Sequence, residues 1–210
     1  MKNFQHIVLF SFFSFFFFFS SVVSQVSAAT PDPTEQLKPV VDKVITLLKD
    51  RNFRQRSVVE QSEVIVKLVS ERFDFHEMSK RVLGKQWRTL NSEQREQFVG
   101  LFTKLLQYVY IGQVDDYIYK KIKFSGQRIR RDRAEVKSLL IDGDKSIPVS
   151  YIMILRKDQW MAYDIVVEGV SLIMNYRNQI GTVLRDENFP GLIAMLKKKI
   201  SKLEAGEKDE

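Results

Sequence analysis

The hydrophobic periodicity of this chain changes twice, and that change constrains the fold more than any other feature of the sequence. Up to Lys120 the apolar residues recur at helical spacing, as in the stripe Leu37, Val40, Val41, Val44 and Leu48. Four segments rich in β-branched and aromatic residues follow, and helical spacing returns after Gly169. Helices, then four strands, then helices predict an α+β domain in which helices cover one face of a curved antiparallel sheet.

Capping and turn residues place the boundaries of these elements. Residues 32–35, Asp-Pro-Thr-Glu, predict the start of the first helix, and Asp74 and Asn91 each predict another start. Residues 142–144 and 157–159 are short turns, so the last three strands should pair with antiparallel neighbours. Both of the last two strands are apolar on both faces, which predicts central positions in the sheet.

The ends of the helical segments carry three further predictions. Gly112 is expected to bend the long helix that begins near Asn91, before the tyrosine-rich stretch 117–119. After the sheet, one helix should cover residues 169–185 and a second should begin at Pro190. The acidic tail, residues 206–210, is expected to be frayed.

The N-terminus has the three-part pattern of a secretory signal peptide. Lys2 precedes an uncharged apolar run over residues 7–19, and a small, polar stretch then ends at Ala28 and Ala29. Cleavage after Ala28 or Ala29 would remove residues 1–29 and leave a single domain, residues 30–205, outside the cytoplasm. A retained membrane anchor is the alternative, because residues 20–23 lengthen the run to the low edge of what spans a bilayer.

The composition excludes several classes of site. The chain has no cysteine and two histidines, so a thiol active site and a thiolate zinc site are excluded. His76 and Glu77 begin like a zinc protease motif, but Lys80 occupies the position of the second histidine. We therefore expect no metal and no cofactor. The formal net charge is +7, yet export makes nucleic acid an improbable partner.

Two residues invite a catalytic interpretation. Ser171 follows a strand and opens a helix, as the nucleophile of a hydrolase does, but Ile173 stands where that turn needs glycine, so Ser171 is expected to cap the helix. Asp164 lies in an apolar strand and would act as a general base if it faced a dry cavity, with Tyr163 or Tyr176 as a donor. The structural alternative, which we favour, has Asp164 satisfied by a cation such as Arg177 or by backbone N–H groups.

A group of basic residues lies near the start of the sheet. Its alternation with apolar residues is typical of a solvated strand face, and a surface of this sign would also suit docking to acidic partners or anionic head groups. The docking hypothesis rests on Lys120, Lys121, Lys123, Arg128, Arg130 and Arg131.

Several segments together resemble a known family. The longest of these segments covers residues 160–172 and continues through Asn175, Tyr176 and Arg177 to Leu184. The others, which follow the order and spacing of that family, are Val82-Leu83-Gly84 with Trp87, residues 92–98 and Tyr110. In these segments the chain resembles the MlaC family, also known as the toluene-tolerance proteins. The resemblance covers essentially all of the chain after the predicted signal peptide.

Membership would imply a soluble, monomeric periplasmic carrier of glycerophospholipids rather than an enzyme. The resemblance implies a fold similar to the NTF2-like cone, with an apolar pocket for acyl tails and phospholipid as cargo. It implies two partners, an inner-membrane MCE-domain protein of an ABC transporter complex and an outer-membrane lipoprotein complex, and a role in outer-membrane lipid asymmetry. A related branch is thought to carry hopanoids, so a hopanoid or another apolar lipid is an alternative cargo.

A carrier must keep acyl chains out of water, because exposing them costs about 0.8 kcal/mol of free energy for each CH₂ group. It needs apolar side chains facing inward between sheet and helices and no catalytic group. Two rivals remain open, an NTF2-like enzyme using Asp164 and Tyr163 and a protein-binding adaptor with a closed core. The residues expected to line the pocket are Leu105, Val109, Val149, Tyr151, Met153, Trp160, Tyr163, Ile165, Val167, Ile173 and Ile180.

Overall fold

The structure is a computed structural model that describes residues 30–111 and 120–206. The predicted signal peptide, the bend at Gly112 and most of the acidic tail lie outside these residues. Among the described residues, the helices before the sheet are α1 Pro33–Lys49, α2 Arg51–Arg54, α3 Val58–Val69, α4 Phe75–Leu83 and α5 Ser92–Ile111, with a 3-10 turn at Gln86–Arg88. The strands are β1 Lys121–Arg130, β2 Arg133–Asp142, β3 Lys145–Arg156, β4 Gln159–Val167 and β5 Val170–Ser171, and α6 Leu172–Glu204 follows them.

The strands form one antiparallel sheet in the order β1-β2-β3-β4-β5. The α+β class is confirmed, and the sheet gains a short fifth strand beyond the four predicted. As predicted, β3 is central. The strand β4 also has a neighbour on each side, β3 and the two-residue β5, as predicted for a strand inside the sheet, and Ala162 forms an isolated bridge with Phe73.

A β-bulge in β4 changes which residues face α1. Ala162 pairs with Met153 and Asp164 pairs with Ile152, so Tyr163 is the extra residue of the bulge. Before the bulge, Trp160 and Ala162 belong to the core under α1, and after it Ile165 joins the same cluster. Because a bulge inserts one residue, it shifts the alternation by one position and bends the strand.

The helix starts follow the capping signals of the sequence. Asp32 accepts hydrogen bonds from the backbone N–H groups of Thr34 and Glu35, at 2.8 and 3.0 Å, and Pro33 occupies the first helical position. These bonds satisfy donors that have no partner inside the helix. They hold the pKa of Asp32 below its ordinary value, the bond from Glu35 contributing most. Asp74 caps α4 in the same way, through the N–H of Glu77.

Two hydrophobic clusters hold the elements together. One lies among α4, α5 and α6, and the other lies between α1 and the sheet, where Leu37, Met153 and Trp160 are completely or almost completely buried. The two helices predicted after the sheet form the single element α6, which is kinked at Asn188, where φ is 58° and ψ is −171°. The kink falls between the two predicted helices. No helix in residues 30–111 or 120–206 is long and apolar enough to cross a membrane.

Candidate ligand-binding cavity

An apolar cavity of about 360 Å³ lies between α1 and the sheet. It adjoins the cluster of buried residues under α1 and shares Val41, Phe73 and Tyr151 with that cluster. One wall is Val40, Val41, Val44, Ile45 and Leu48 of α1, the other is Ile122, Leu140, Ile147, Val149, Tyr151, Ile165 and Val167 of the sheet, and Val69, Phe73, Tyr110 and Lys120 complete the lining.

The walls follow from the periods of their elements. The lining positions of α1 are three to four residues apart on one face, which gives a wide apolar stripe along the helix. In β3, Ile147, Val149 and Tyr151 alternate, as expected for one face of a strand. The bulge at Tyr163 brings Ile165 and Val167 of β4 to the same face.

Few polar side chains of the described residues line this space. The Nζ atom of Lys120 lies 3.4 Å from the Oδ2 atom of Asp142, so its charge is held at the end of the sheet. Tyr151 is buried, and burial raises the pKa of its hydroxyl, while its hydrogen bond with Ser138 acts in the opposite direction. The walls formed by residues 30–111 and 120–206 are therefore suited to an apolar ligand and offer few partners to a polar one.

Two smaller spaces adjoin the cavity at Tyr110 and Ile165, which line all three. The first, of about 190 Å³, lies among α3, α4 and α5. The second, of about 300 Å³, lies beside β5 and the start of α6, where Val167 and Val170 are 42% and 63% exposed. The apolar space is thus branched, and it reaches solvent beside exposed apolar side chains.

The structure places the eleven predicted lining residues in three settings. Val149, Tyr151, Ile165 and Val167 line the cavity. Met153 and Trp160 lie in the packed core under α1, and Leu105, Val109, Ile173 and Ile180 pack in the core among α4, α5 and α6. Tyr163 packs at the edge of that second core.

Sequence reasoning missed the wall formed by α1. The signal was present, because the apolar stripe of α1 contains Val40, Val41, Val44, Ile45 and Leu48 and is wider than one packed seam needs. What the pattern lacks is the distance between that stripe and the sheet. The same distance was missing for Phe73, which lies between α3 and α4 and also lines the cavity.

Both carboxylate oxygens of Asp164 hold the start of α6. Its Oδ2 atom accepts from the hydroxyl of Ser171 at 2.6 Å, and its Oδ1 atom accepts from the N–H of Ile173 at 3.0 Å. Ser171 in turn accepts from the N–H of Met174, so it caps the helix as predicted. The backbone alternative for Asp164 is therefore confirmed, and Arg177 is not its partner.

Tyr163 faces cations rather than the apolar cavity. The guanidinium of Arg81 lies 3.8 Å from the centre of its ring and that of Arg133 lies 5.5 Å away. Arg81 also pairs with the buried carboxylate of Glu77, at 2.8 Å, and Arg156 reaches the same carboxylate at 3.3 Å. Since Tyr163 and Asp164 have different partners, the structure brings no acid–base pair together at these two residues.

The predicted docking residues separate into two groups. Lys121, Lys123, Arg128 and Arg130 of β1 and Arg131 of the following turn are exposed. Lys120 lines the apolar cavity and is largely covered. Within residues 30–111 and 120–206, no three His, Cys, Asp or Glu side chains form a group that could hold a metal ion.

The fold and the cavity define an α+β protein that encloses a branched apolar space between helices and an antiparallel sheet. The chain belongs to the MlaC family, because the model of that family, described as MlaC protein, matches residues 38–198.

Two known proteins are similar to this chain. The intermembrane phospholipid transport system binding protein MlaC of Haemophilus influenzae is 25% identical over 128 residues, 58% of this chain and 59% of that protein. The match therefore spans less than two thirds of that relative's length. A phospholipid-binding protein of Ralstonia solanacearum, solved in complex with a phospholipid, aligns with a TM-score of 0.75 at 23% identity, over 82% of this chain and 98% of that one. That likeness shows that the two chains share a fold.

Proposed function

We propose that this protein is a lipid carrier that holds the acyl tails of a phospholipid in the branched apolar cavity. The observation that carries the proposal is the cavity itself, a space of about 360 Å³ with apolar walls on both sides and two adjoining apolar branches. Membership of the MlaC family and the names of the two similar proteins support phospholipid as the cargo.

The energetics favour a container of this kind. Each CH₂ group exposed to water costs about 0.8 kcal/mol, so two acyl tails cross an aqueous space only when they are covered. The exposed Val167 and Val170 beside one branch give the tails an apolar path to solvent. The head group would stay near this opening, because the walls offer it few hydrogen-bond partners.

An enzymatic role has less support. Asp164, the strongest candidate for a general base, already accepts hydrogen bonds from Ser171 and Ile173. Tyr163, its proposed donor, packs against Arg81 and Arg133. Asp164 also lines neither the apolar cavity nor its two branches, so a ligand held there would not reach the carboxylate, and we propose a carrier and not an enzyme.

We further propose that the protein acts in the periplasm as a monomer, after cleavage following Ala28 or Ala29. It would exchange lipid with an inner-membrane MCE-domain protein of an ABC transporter complex and with an outer-membrane lipoprotein complex. The intermembrane transport named for the relative from Haemophilus influenzae supports this assignment. The exposed cations of β1, such as Lys123 and Arg128, would assist docking to acidic surfaces.

Native mass spectrometry tests the cargo directly. The full chain is expressed with its N-terminal segment in a Gram-negative host, purified without detergent and sprayed intact. We expect a protein that begins near Thr30 and carries one phospholipid per chain. A bound mass that matches a hopanoid would identify a hopanoid, and not a phospholipid, as the cargo. Protein without lipid that also takes up none from phospholipid vesicles would refute the proposal.

A further inference from the structure

A second cavity, of about 410 Å³, lies between α4 and α6 and differs in character from the apolar one. Val82 and Leu83 of α4 form its floor, and Arg177, Asn178, Thr182 and Arg185 of α6 supply polar groups. It shares no lining residue with the apolar cavity or its branches. We call it the arginine groove.

The groove carries positive charge without a matching acid. In the part of the chain that the structure describes, Arg177 forms no hydrogen bond and no ion pair, and the only hydrogen bond of the Arg185 side chain is one to the hydroxyl of Thr182, at 3.0 Å. No aspartate or glutamate lies on its described walls. Asp186 and Glu187 follow Arg185 in sequence, but neither pairs with an arginine of the groove. Two guanidinium groups thus remain available to an anion.

The backbone of Gly84 makes room for one of these cations. Gly84 ends α4 with φ at 56°, and a Cβ atom added there would lie 3.0 Å from the Nη2 atom of Arg177. A side chain at this position would therefore require the guanidinium to shift by a few tenths of an ångström. The guanidinium of Arg177 therefore lies against the end of α4, although the residue remains exposed to solvent.

We propose that the arginine groove binds acidic side chains of a protein partner. Guanidinium groups present paired N–H donors that match a carboxylate, and such charge-assisted bonds are stronger than neutral ones. A concave site accepts a projecting Asp or Glu side chain, whereas the plane of lipid head groups would meet exposed cations on a convex surface. The apolar floor of Val82 and Leu83 would contact the carbon atoms of such a segment.

This proposal does not depend on the cargo, since a carrier of any ligand, or an adaptor with none, would use the same groove. It concerns a surface separate from the cations of β1, which lie on the sheet and not on α4 or α6. The groove and the lipid cavity can therefore be altered independently.

Fluorescence anisotropy with a labelled peptide of alternating Asp, Glu and Leu tests the proposal on the full processed chain. The variant R177Q/R185Q should bind the peptide at least about tenfold more weakly. The control K197Q/K198Q removes the same charge from exposed positions of α6 and should change the affinity by less than about twofold. The variant R177K/R185K keeps the charge but loses the planar donors, so it should bind with intermediate affinity.

Three outcomes would overturn the proposal. Equal weakening in R177Q/R185Q and K197Q/K198Q would mean that the peptide responds to net charge alone. Arginine-dependent binding to phosphatidylglycerol vesicles without binding of the peptide would assign the groove to a lipid surface. If the unaltered protein does not bind the peptide even at low salt, the groove does not bind acidic side chains. Because both arginines are exposed, their loss should leave the urea midpoint and the co-purified lipid unchanged, which separates this result from failure of the carrier function.

Discussion

The hydroxyl of Ser171 donates a hydrogen bond of 2.6 Å to the carboxylate of Asp164, and this contact joins the last long strand to the start of α6. Asp164 is 9% exposed and also accepts from the backbone N–H of Ile173. A negative charge at a helix N-terminus is favourable, because the unpaired N–H groups there point towards it. The pair therefore fixes where the C-terminal helix leaves the sheet.

Replacing Asp164 by Ala should lower the free energy of unfolding by about 2–3 kcal/mol, and replacing it by Asn by about 1 kcal/mol, since Ala leaves the buried N–H of Ile173 and the half-buried hydroxyl of Ser171 without this acceptor. Urea denaturation followed by circular dichroism measures both. The control is D144N in the exposed turn between β2 and β3, where we expect less than about 0.5 kcal/mol. Folded D164N should still carry lipid. If D164N instead lost a catalytic turnover while its stability was unchanged, the alternative of an enzyme that uses Asp164 and Tyr163 would be favoured.

Filling the cavity should block lipid binding without unfolding the protein. Val149 lies on β3 in the cavity wall, and the variant V149F directs a ring into the space between β3 and α1. We expect the fraction of chains with bound lipid to fall at least about threefold, because the ring occupies volume that the tails need. Native mass spectrometry measures the fraction. V59F places the same ring on the exposed face of α3 and should leave it unchanged. Equal lipid content in the two variants would argue against this cavity.

The cap at the start of α1 should make stability depend on pH. The folded pKa of Asp32 is lowered by hydrogen bonds from the backbone of Glu35 and Thr34 and from the side chain of Gln127. A lowered folded pKa means that the carboxylate stabilises the fold above its ordinary pKa of 3.8 and that this contribution disappears as the pH falls below that value. The wild type should therefore be more stable than D32N at pH 7, and the difference should vanish near the folded pKa. Urea titrations from about pH 7 to pH 2.5 test this, and a constant difference would contradict it.

The kink in α6 should be a site where glycine stabilises the protein. Asn188 has φ 58° and ψ −171°, a backbone region that side chains disfavour and glycine adopts without strain. Its side chain accepts only a long contact of 3.5 Å from the N–H of Gly191. N188G should raise the free energy of unfolding by about 0.5–1 kcal/mol. The control Q179G, at an exposed position in regular helix, should lower it by about 1 kcal/mol. A loss of stability in N188G would show that the contacts of the Asn188 side chain stabilise the fold by more than its backbone strain destabilises it.

Local signals predicted most of the fold correctly. The caps at Asp32 and Asp74 and the turns at 142–144 and 157–159 depend only on neighbouring residues, and each lies where the sequence predicted it. The helix α2, of four residues, was not predicted, because a single turn has no period to detect.

The site was less predictable than the fold. Val149 lines the cavity and Met153, four residues further along the same strand, is packed against α1, although both are apolar and point the same way. The bulge at Tyr163 is equally hidden, since it depends on how β4 pairs with β3. Without that bulge, the alternation that puts Trp160 under α1 would turn Ile165 away from the cavity.

The sequence alone determined the order of the elements, the helix caps, the tight turns and the resemblance to the MlaC family, because each of these depends on residues close together in the chain. Only the tertiary structure decided where a cavity lies between α1 and the sheet, which apolar residues line it and which partners Asp164 and Tyr163 have. A packed core and a cavity wall use the same side chains. The difference between them is the distance to the opposite element, and that distance exists only after the chain has folded.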